Sequence, residues 1–558
     1  MISFKRYNIA YFSMEIGIEA NLPTYSGGLG VLAGDTLRSC ADLNLPVIGV
    51  TLVYKKGYFK QKIDYEGNQH EEEVNWDINK ILKPLNKEVY VKIEGRKVKI
   101  TAWLYEIEVT KGAKNAIIFL DTDHEENDEY DRRITDKLYA NDQRYRLAQE
   151  IVLGIGGAKM LEELGCTELK KYHMNEGHSA LLTLELYHRI KSDNKMHDLR
   201  EKCVFTTHTP VPAGHDVFPR DLAENMIDKD LLNDEIKAHI FSEKGLNMTL
   251  VGLEFSDYVN GVAKKHGEVS RFMFPGHRID HITNGVHSEY WTNKHFKELF
   301  DKKIPGWRND PFTLRYVLSI SEENIWDAHI KAKKDLVNYI KEKYGILMDH
   351  ELFTIGFARR AATYKRGDML FSDINRLKRI ANNSKGLQII YAGKAHPNDW
   401  EGKQIIKKIV QSMNHVKDNI KVVYLDDYDI HVAKLLIPGV DIWLNTPQIP
   451  KEASGTSGMK AAHNGVPHFS TLDGWWIEGH IEKVTGFSIG NNPNKTNESN
   501  YEEEKEDLYS KLEYVIVPRY YKEREKWINM MKHSIAINAS FFNTHRMVQQ
   551  YVLNAYFR

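Results

Sequence analysis

Glu452-Ala-Ser-Gly-Thr-Ser-Gly-Met-Lys460, followed by Ala-Ala-His-Asn-Gly465, is the stretch on which the reading of this chain turns. An apolar, strand-like run, Val440-Asp-Ile-Trp-Leu444, precedes it and is closed by Pro447 and Pro450. Small residues, with glycines at 455 and 458, let the backbone turn sharply and aim its N–H groups at one point. A helix over 459–464 would direct its positive end at an anion, with Lys460 in its first turn. The spacing is not that of a P-loop, which needs four residues between the glycines and a hydroxyl after the lysine. Ala461 stands there instead. The stretch therefore suits an anion and an amine serving one ligand. It suits equally a Gly/Ser loop before an ordinary helix with a solvated lysine.

Strand and helix alternate around it. A helix is expected over 322–344, strands over 352–357, 387–392, 421–425 and 440–444, and helices near 400–413 and from Ile430. Ala358-Arg-Arg-Ala-Ala-Thr-Tyr-Lys-Arg366 follows the first of those strands, where an open α/β sheet has its crevice. Beyond a strand over 466–471 comes Leu472-Asp-Gly-Trp-Trp-Ile-Glu478. Residues 490–507, rich in Asn and Glu, read as a surface insertion, and 520–557 as an aromatic helical tail.

The first half opens with a βαβ unit: a strand over 9–14, Ser26-Gly-Gly-Leu-Gly30, a helix over 31–44 and a strand over 46–54. Alternation over 89–109 around Glu94-Gly95 reads as a hairpin, 116–120 as a buried strand, and the acidic run 124–131 as a solvated loop. Gly154, Gly156 and Gly157 interrupt a helical pattern and are costly unless something packs closely on them. Two polar junctions follow, Tyr172-His-Met-Asn-Glu-Gly-His178 and Val204-Phe-Thr-Thr-His-Thr-Pro-Val-Pro-Ala-Gly-His215. His173 and His178 have no evident third ligand, so no metal is expected. A strand over 279–282, Thr283-Asn-Gly-Val-His287 and Trp291 close this half.

The 558 residues leave room for roughly two to four domains. With 76 basic and 77 acidic residues, no global field favours nucleic acid or an anionic membrane. Cys40, Cys166 and Cys203 are scattered, which argues for a reducing compartment. No signal peptide is expected before the first strand, and the longest apolar run, 45–54, is far short of a membrane span. A cytoplasmic protein is expected. Pyridoxal phosphate, with an aldehyde for the amine and a phosphate for the cradle, fits the Lys460 stretch.

Seven motifs then occur in order: Tyr11-Phe-Ser-Met-Glu15, Ser26-Gly-Gly-Leu-Gly30, Asn175-Glu-Gly-His178, Thr206-Thr-His-Thr-Pro210, Thr283-Asn-Gly285, Arg359 to Arg366, and Glu452 to Lys460. Together they resemble the α-glucan (glycogen/starch/maltodextrin) phosphorylase family, in a short form, over most of the chain. The resemblance implies an α/β protein of GT-B architecture, two Rossmann-like domains facing a central catalytic cleft. Their limits would be 1–290, with the hairpin inserted, and 291–520, carrying the lysine. Helices of 521–558 would pack back across both.

By the same resemblance Lys460 holds pyridoxal 5'-phosphate as a Schiff base. Thr456 and Gly458 lie against its phosphate, Trp291 lies near its ring, and Arg359 is shared with it. Arg360 and Lys365 bind the substrate phosphate, with the Gly27 and Gly28 amides opposite. Glu176, His208, Asn284, Glu452, Ala453, Ser454 and Gly455 match the glucosyl subsite, and Tyr364 matches the family's tyrosine there. Lys460, Arg360, Lys365, His208 and Gly28 form the implied catalytic set. The implied reaction is retaining phosphorolysis of an α-1,4-glucan or maltooligosaccharide by inorganic phosphate, giving glucose 1-phosphate. Two phosphates about 4 Å apart repel by roughly 4 kcal/mol per unit pair at an effective dielectric near 20, so they tend to share a proton.

Two alternatives stand beside it. A nucleotide-sugar glucosyltransferase resembling glycogen synthase needs no Schiff-base lysine. A silent glucan-binding protein has no need of Arg360, Lys365 or Lys460, and all three are present. Arg359-Arg360 departs from the Lys-Arg of long family members, keeping the charge but changing the geometry. Ala361-Ala362-Thr363 stands where they carry a histidine and an acid. The chain starts almost at its first strand, so no regulatory N-terminal extension and no activation by AMP is expected. A homodimer, common in the family, is left open.

Overall fold

The computed structural model describes residues 3–108, 114–139, 142–490 and 499–557. They form two compact units: Met1–Phe59 with Glu73–Thr283 and Met547–Arg558, and Lys60–Glu72 with Asn284–Arg546.

The first unit is built on β1 (Ile9–Ser13), β2 (Val47–Leu52), β3 (Lys83–Ile93), β4 (Arg96–Glu108), β5 (Lys114–Asp121), β6 (Lys171–Asn175), β7 (Cys203–Thr206), β8 (Tyr258–Gly261) and β9 (Asp280–His281). They make one sheet in the order β9-β8-β7-β6-β1-β2-β5-β4-β3. Neighbours from β9 to β5 are parallel, and the β3–β4 hairpin is appended antiparallel. Every residue of β1 and β2 is buried, as parallel strands covered on both faces require. The hairpin turns at Glu94 and Gly95, both at positive φ.

The glycines of the interrupted helix have packing reasons. A Cβ on Gly154 would lie 2.6 Å from the Leu182 amide nitrogen, and one on Gly157 2.7 Å from the Phe12 ring. The acidic run differs from expectation. Asp131 is buried and takes two 2.9 Å bonds from Arg96, while Asn127 donates to the Lys99 and Thr122 carbonyls. Arg96, at the start of β4, needs a counter-charge there, so the end of the run is drawn onto the hairpin. His173 bonds the Tyr556 hydroxyl (2.7 Å) and Thr206 (2.8 Å), tying the last chain segment to this sheet.

The second unit contains β10 (Phe353–Ala358), β11 (Leu387–Ala392), β12 (Lys421–Leu425), β13 (Ile442–Asn445), β14 (His468–Thr471) and β15 (Gly486–Ile489). All pairs are parallel, in the order β12-β11-β10-β13-β14-β15. The chain winds outward from β10 to β12, then returns to the other side of β10 as β13. That reversal is a topological switch point, and the loops after β10 and β13 diverge there.

Of the expected insertion over 490–507, residues 491–498 lie outside the described residues. From Tyr501 the chain is a helix, Tyr501–Lys511, and its buried Glu504 pairs with Arg366 at 2.5 Å. No helix of the described residues is long and apolar enough to cross a membrane. The three cysteines are buried and free, and burial lifts each thiol to about 12.

Candidate active site

The loops leaving β10 and β13 place their charges on one another. Arg359 and Lys365, from the first loop, each donate to Glu452 Oε2 of the second at 2.5 Å. The Glu452 side chain is only 10% exposed. Burial alone would raise its carboxyl, but Arg359 and then Lys365 outweigh that and hold it at about 2. The two loops are also laced through backbone. Thr446 Oγ1 donates to the Lys365 and Arg366 carbonyls, and Arg366 donates to the Thr446 and Pro447 carbonyls. Lys365 lies over the Tyr364 ring, 4.6 Å from its centroid. Arg360 is exposed and has no ion pair among the described residues. Three cations against one carboxylate leave the switch point net positive and suited to an anion.

The Lys460 loop follows. Its helix, Ser457–Ala462, starts two residues earlier than the sequence suggested, because Gly455 turns the chain at φ +84°. Lys460 therefore sits in the later half of a short helix rather than in its first turn. The Thr456 hydroxyl makes no capping bond. A Cβ on Gly458 would lie 2.8 Å from ring atoms of both His468 and Trp475. Lys460 is 7% exposed, with Nζ 3.8 Å from the centroid of the Trp291 ring. Two residues missed at the sequence level hold that ring in place. Asn464 donates to the Trp291 carbonyl (2.9 Å) and accepts from the Asn293 amide (2.7 Å), while His463 bonds Ser288 (2.9 Å). Their spacing of three and four from Lys460, in an apolar helix, was the available signal.

Asp473 was also missed. It accepts from the Glu452 amide (2.8 Å) and the Gly474 amide (2.9 Å), and burial lifts its carboxyl to about 7. Ser454 Oγ and Asn284 Oδ1 are buried without a hydrogen-bond partner, and so is His468 Nδ1. Unpaired buried polar atoms carry a desolvation cost that a hydroxylated or phosphorylated ligand would relieve. Ala453 is half-buried between Glu452 and Ser454.

In the first unit the glycine turn is braced by Glu15, a residue of a quoted motif to which no role had been given. Its Oε2 accepts from the Ser26 amide (2.5 Å) and the Gly27 amide (3.1 Å), and Oε1 from the Tyr139 hydroxyl (2.9 Å). Gly30 has no room for a side chain, since its Cβ would lie 2.7 Å from Glu15 Oε2. The Gly27 amide is thus engaged, whereas Gly28 opens the helix Gly28–Asp42 with no side-chain cap. Around Gly27 and Gly28 a Cβ would meet nothing within 4 Å.

Glu176, at φ +78°, accepts from the Gly177 amide with one oxygen and from the His208 amide (2.8 Å) and Thr209 hydroxyl (2.9 Å) with the other. His208 Nε2 bonds Asn175 Oδ1 at 2.6 Å, and desolvation keeps its pKa well below the ordinary value, so the ring is neutral. Glu176 and Asn175 together fix the peptide at 208. His178 pairs with Asp216 at 3.3 Å, whereas His173 bonds Tyr556 and Thr206.

Comparison with known proteins adds an independent line. A family model described as carbohydrate phosphorylase matches residues 15–117 and 215–516. A maltodextrin phosphorylase of Thermococcus litoralis is 40% identical over 98% of this chain and 70% of its own length. A glycogen phosphorylase of Aquifex aeolicus is 35% identical over 98% and 86%. An uncharacterized protein of Methanocaldococcus jannaschii is 32% identical over 98% and 99%.

Proposed function

This chain belongs to the carbohydrate phosphorylase family, and we propose that it cleaves the non-reducing-end glucosyl unit from an α-1,4-glucan or maltooligosaccharide with inorganic phosphate. The products are α-D-glucose 1-phosphate and a glucan one unit shorter. The observation that carries this reading is the convergence of Arg359 and Lys365 on Glu452 at the switch point of the second sheet. The GT-B arrangement and the domain limits 1–290, 291–520 and 521–558 are part of the proposal.

The second unit's residues fit pyridoxal phosphate. A buried amine on an aromatic face, an uncapped Thr456 hydroxyl and a tight Gly458 suit a flat, phosphorylated aldehyde. Lys460 would hold it, with Thr456, Gly458, Arg359 and Trp291 around it. When bound, pyridoxal phosphate supplies a phosphate group able to exchange a proton with the substrate phosphate.

Arg360 and Lys365 bind and orient the substrate phosphate, assisted by the Gly28 amide. The P–OH of that phosphate protonates the glycosidic oxygen, the C1–O bond breaks, and a phosphate oxygen then bonds C1 from the same face, so configuration is retained. Glu452, Ser454, Asn284 and Tyr364 hold sugar hydroxyls. The role assigned to the His208 carbonyl is to stabilise the positive charge that develops on the sugar.

The test is release of glucose 1-phosphate from maltoheptaose or glycogen, dependent on added phosphate. Lys460→Ala is expected to abolish release while leaving the melting temperature within a few degrees of wild type. Borohydride reduction should leave a pyridoxyl group on Lys460. Near-normal turnover in Lys460→Ala would refute the assignment.

A further inference from the structure

The segment Lys60–Glu72 belongs to the second unit although its neighbours on both sides belong to the first. It is an antiparallel hairpin, Lys60–Ile63 with Gln69–Glu72. Two of its side chains are buried glutamines, Gln61 (1% exposed) and Gln69 (6%). Glutamine is costly to bury unless both amide protons and the oxygen are used. Here they are. Gln61 Nε2 donates to the Gly393 carbonyl and to Gln69 Oε1, both at 2.8 Å, and Gln61 Oε1 accepts from the Asp427 amide at 3.0 Å. Gln69 Nε2 donates to the Ala395 carbonyl (2.9 Å) and to Glu71 (2.6 Å), and its oxygen accepts from the Ala395 amide (2.9 Å).

The segment gripped in this way, Gly393 to Ala395, is the backing of the basic loop. Arg359 donates its amide to the Ala392 carbonyl (3.3 Å), and Ala361 donates its amide to the Lys394 carbonyl (2.9 Å). Contact is so close that a Cβ on Gly393, at φ +140°, would lie 1.9 Å from the Arg359 carbonyl oxygen. Lys394 is held in turn by Asp427 at 2.6 Å, and Asp427 also accepts from the Gln61 amide at 3.0 Å. A displacement of the hairpin is therefore passed through the two fully bonded glutamine amides to Gly393–Ala395, and from there to Arg359–Ala361 through backbone hydrogen bonds.

We propose that Gln61 and Gln69 are positioning residues for the anion-binding loop, setting where Arg359, Arg360 and Lys365 stand and hence the affinity for phosphate. The proposal rests on the phosphorolysis reading for its substrate but not for its geometry. The residues that the two glutamines bond outside the hairpin, Gly393, Ala395 and Asp427, are none of the glucan-binding residues named above. Its effect should fall on phosphate.

The variants are Gln61→Glu and Gln69→Glu, which keep side-chain size but remove amide donors and set an anion against backbone carbonyls. Tyr65→Ala, at the exposed turn of the same hairpin, is the control. Hydrogen exchange of the backbone over 359–365 is measured alongside steady-state kinetics of the full chain. We expect faster exchange at Ala361 in both variants, a rise of roughly tenfold in KM for phosphate, and a change under twofold in KM for maltoheptaose. Tyr65→Ala should match wild type in all three.

Unchanged exchange over 359–365 overturns the proposal, and so does an equal rise in both KM values. Faster exchange in both variants, together with a wild-type chain that releases no glucose 1-phosphate on addition of phosphate, would keep the positioning role and sink the phosphorolysis reading instead.

Discussion

Glu452→Gln tests the electrostatic core of the site. The wild-type carboxylate accepts from Arg359 and Lys365 at 2.5 Å each, with all three side chains 11% exposed or less. Glutamine keeps the shape but removes the charge: both cations converge on Oε2, where an amide oxygen accepts from them without neutralising them and an amide nitrogen would oppose both. Removing one partner of a buried ionic cluster costs ~3–5 kcal/mol, because the remaining charges stay buried without compensation. At roughly 2 °C per kcal/mol for a unit of this size, the apparent melting temperature should drop by about 6–10 °C in phosphate-free buffer. Phosphate then becomes the missing counter-anion. A ligand at 100 times its Kd contributes ~2.7 kcal/mol, so saturating phosphate should recover most of the loss in the variant while moving wild type less. Turnover stays low, because the sugar loses a hydroxyl-binding oxygen. The assay is thermal unfolding followed by fluorescence, in chloride and in a phosphate series at constant ionic strength. Equal melting of variant and wild type without phosphate, or identical phosphate shifts, would refute the idea that Glu452 neutralises the loop's cations.

Two other perturbations separate charge from packing. Asp473 has its carboxyl lifted by burial from 3.8 to about 7, so the folded state holds a proton that the unfolded chain releases. Wild-type stability should therefore decline as pH rises from about 4 to about 7, and Asp473→Asn should flatten that slope in a pH series of melting curves. Lys333→Met breaks a buried pair with Asp441 (2.5 Å), whose other oxygen bonds His329 (2.8 Å). This pair lies at the opposite end of the sheet from the site, beside the first residues of β10 and β13. Melting should fall by several degrees, as expected for ~3 kcal/mol, with KM for phosphate unchanged.

Much of the second sheet could be read directly, because its central strands are short, mainly apolar runs. The expected 387–392 and 421–425 coincide with Leu387–Ala392 and Lys421–Leu425, and the helix Glu322–Tyr344 has the limits its pattern gave. Features that depend on distant partners could not be read. Nothing local in 60–72 says that two glutamines will bind a backbone segment more than 300 residues away. Nothing in 124–131 says that Arg96 will bury Asp131. In the site, residue types and order were legible, but pairings were not. The resemblance assigns Glu452 to sugar hydroxyls, and the structure adds a pairing that the sequence does not state, as counter-ion of Arg359 and Lys365. Glu15 was quoted within a motif, yet its role as a brace depends on Ser26, Gly27 and Tyr139 coming to it.

The pairings also bear on where the proton for the leaving oxygen originates. Enzymes that hydrolyse glycosides keep one carboxyl protonated at neutral pH, with its pKa raised, beside a second that is ionised. Glu452 cannot play the first part, since its two cations hold it at about 2. Glu176 has one oxygen on the Gly177 amide and the other on His208 and Thr209, so its lone pairs serve the loop. Asp473 has the raised pKa, but its two oxygens are each held by a backbone amide, and it is 3% exposed. His208 is kept neutral, with Nε2 committed to Asn175. Each of these groups is already engaged, which accords with the proposed reading that the substrate phosphate, whose proton exchanges near neutral pH, is the acid. The acidic and basic limbs of kcat against pH should therefore follow phosphate ionisation and stay in place in Glu452→Gln, even as kcat falls. A limb that moves with that substitution would put a carboxylate back into the proton transfer and would count against phosphate as the acid.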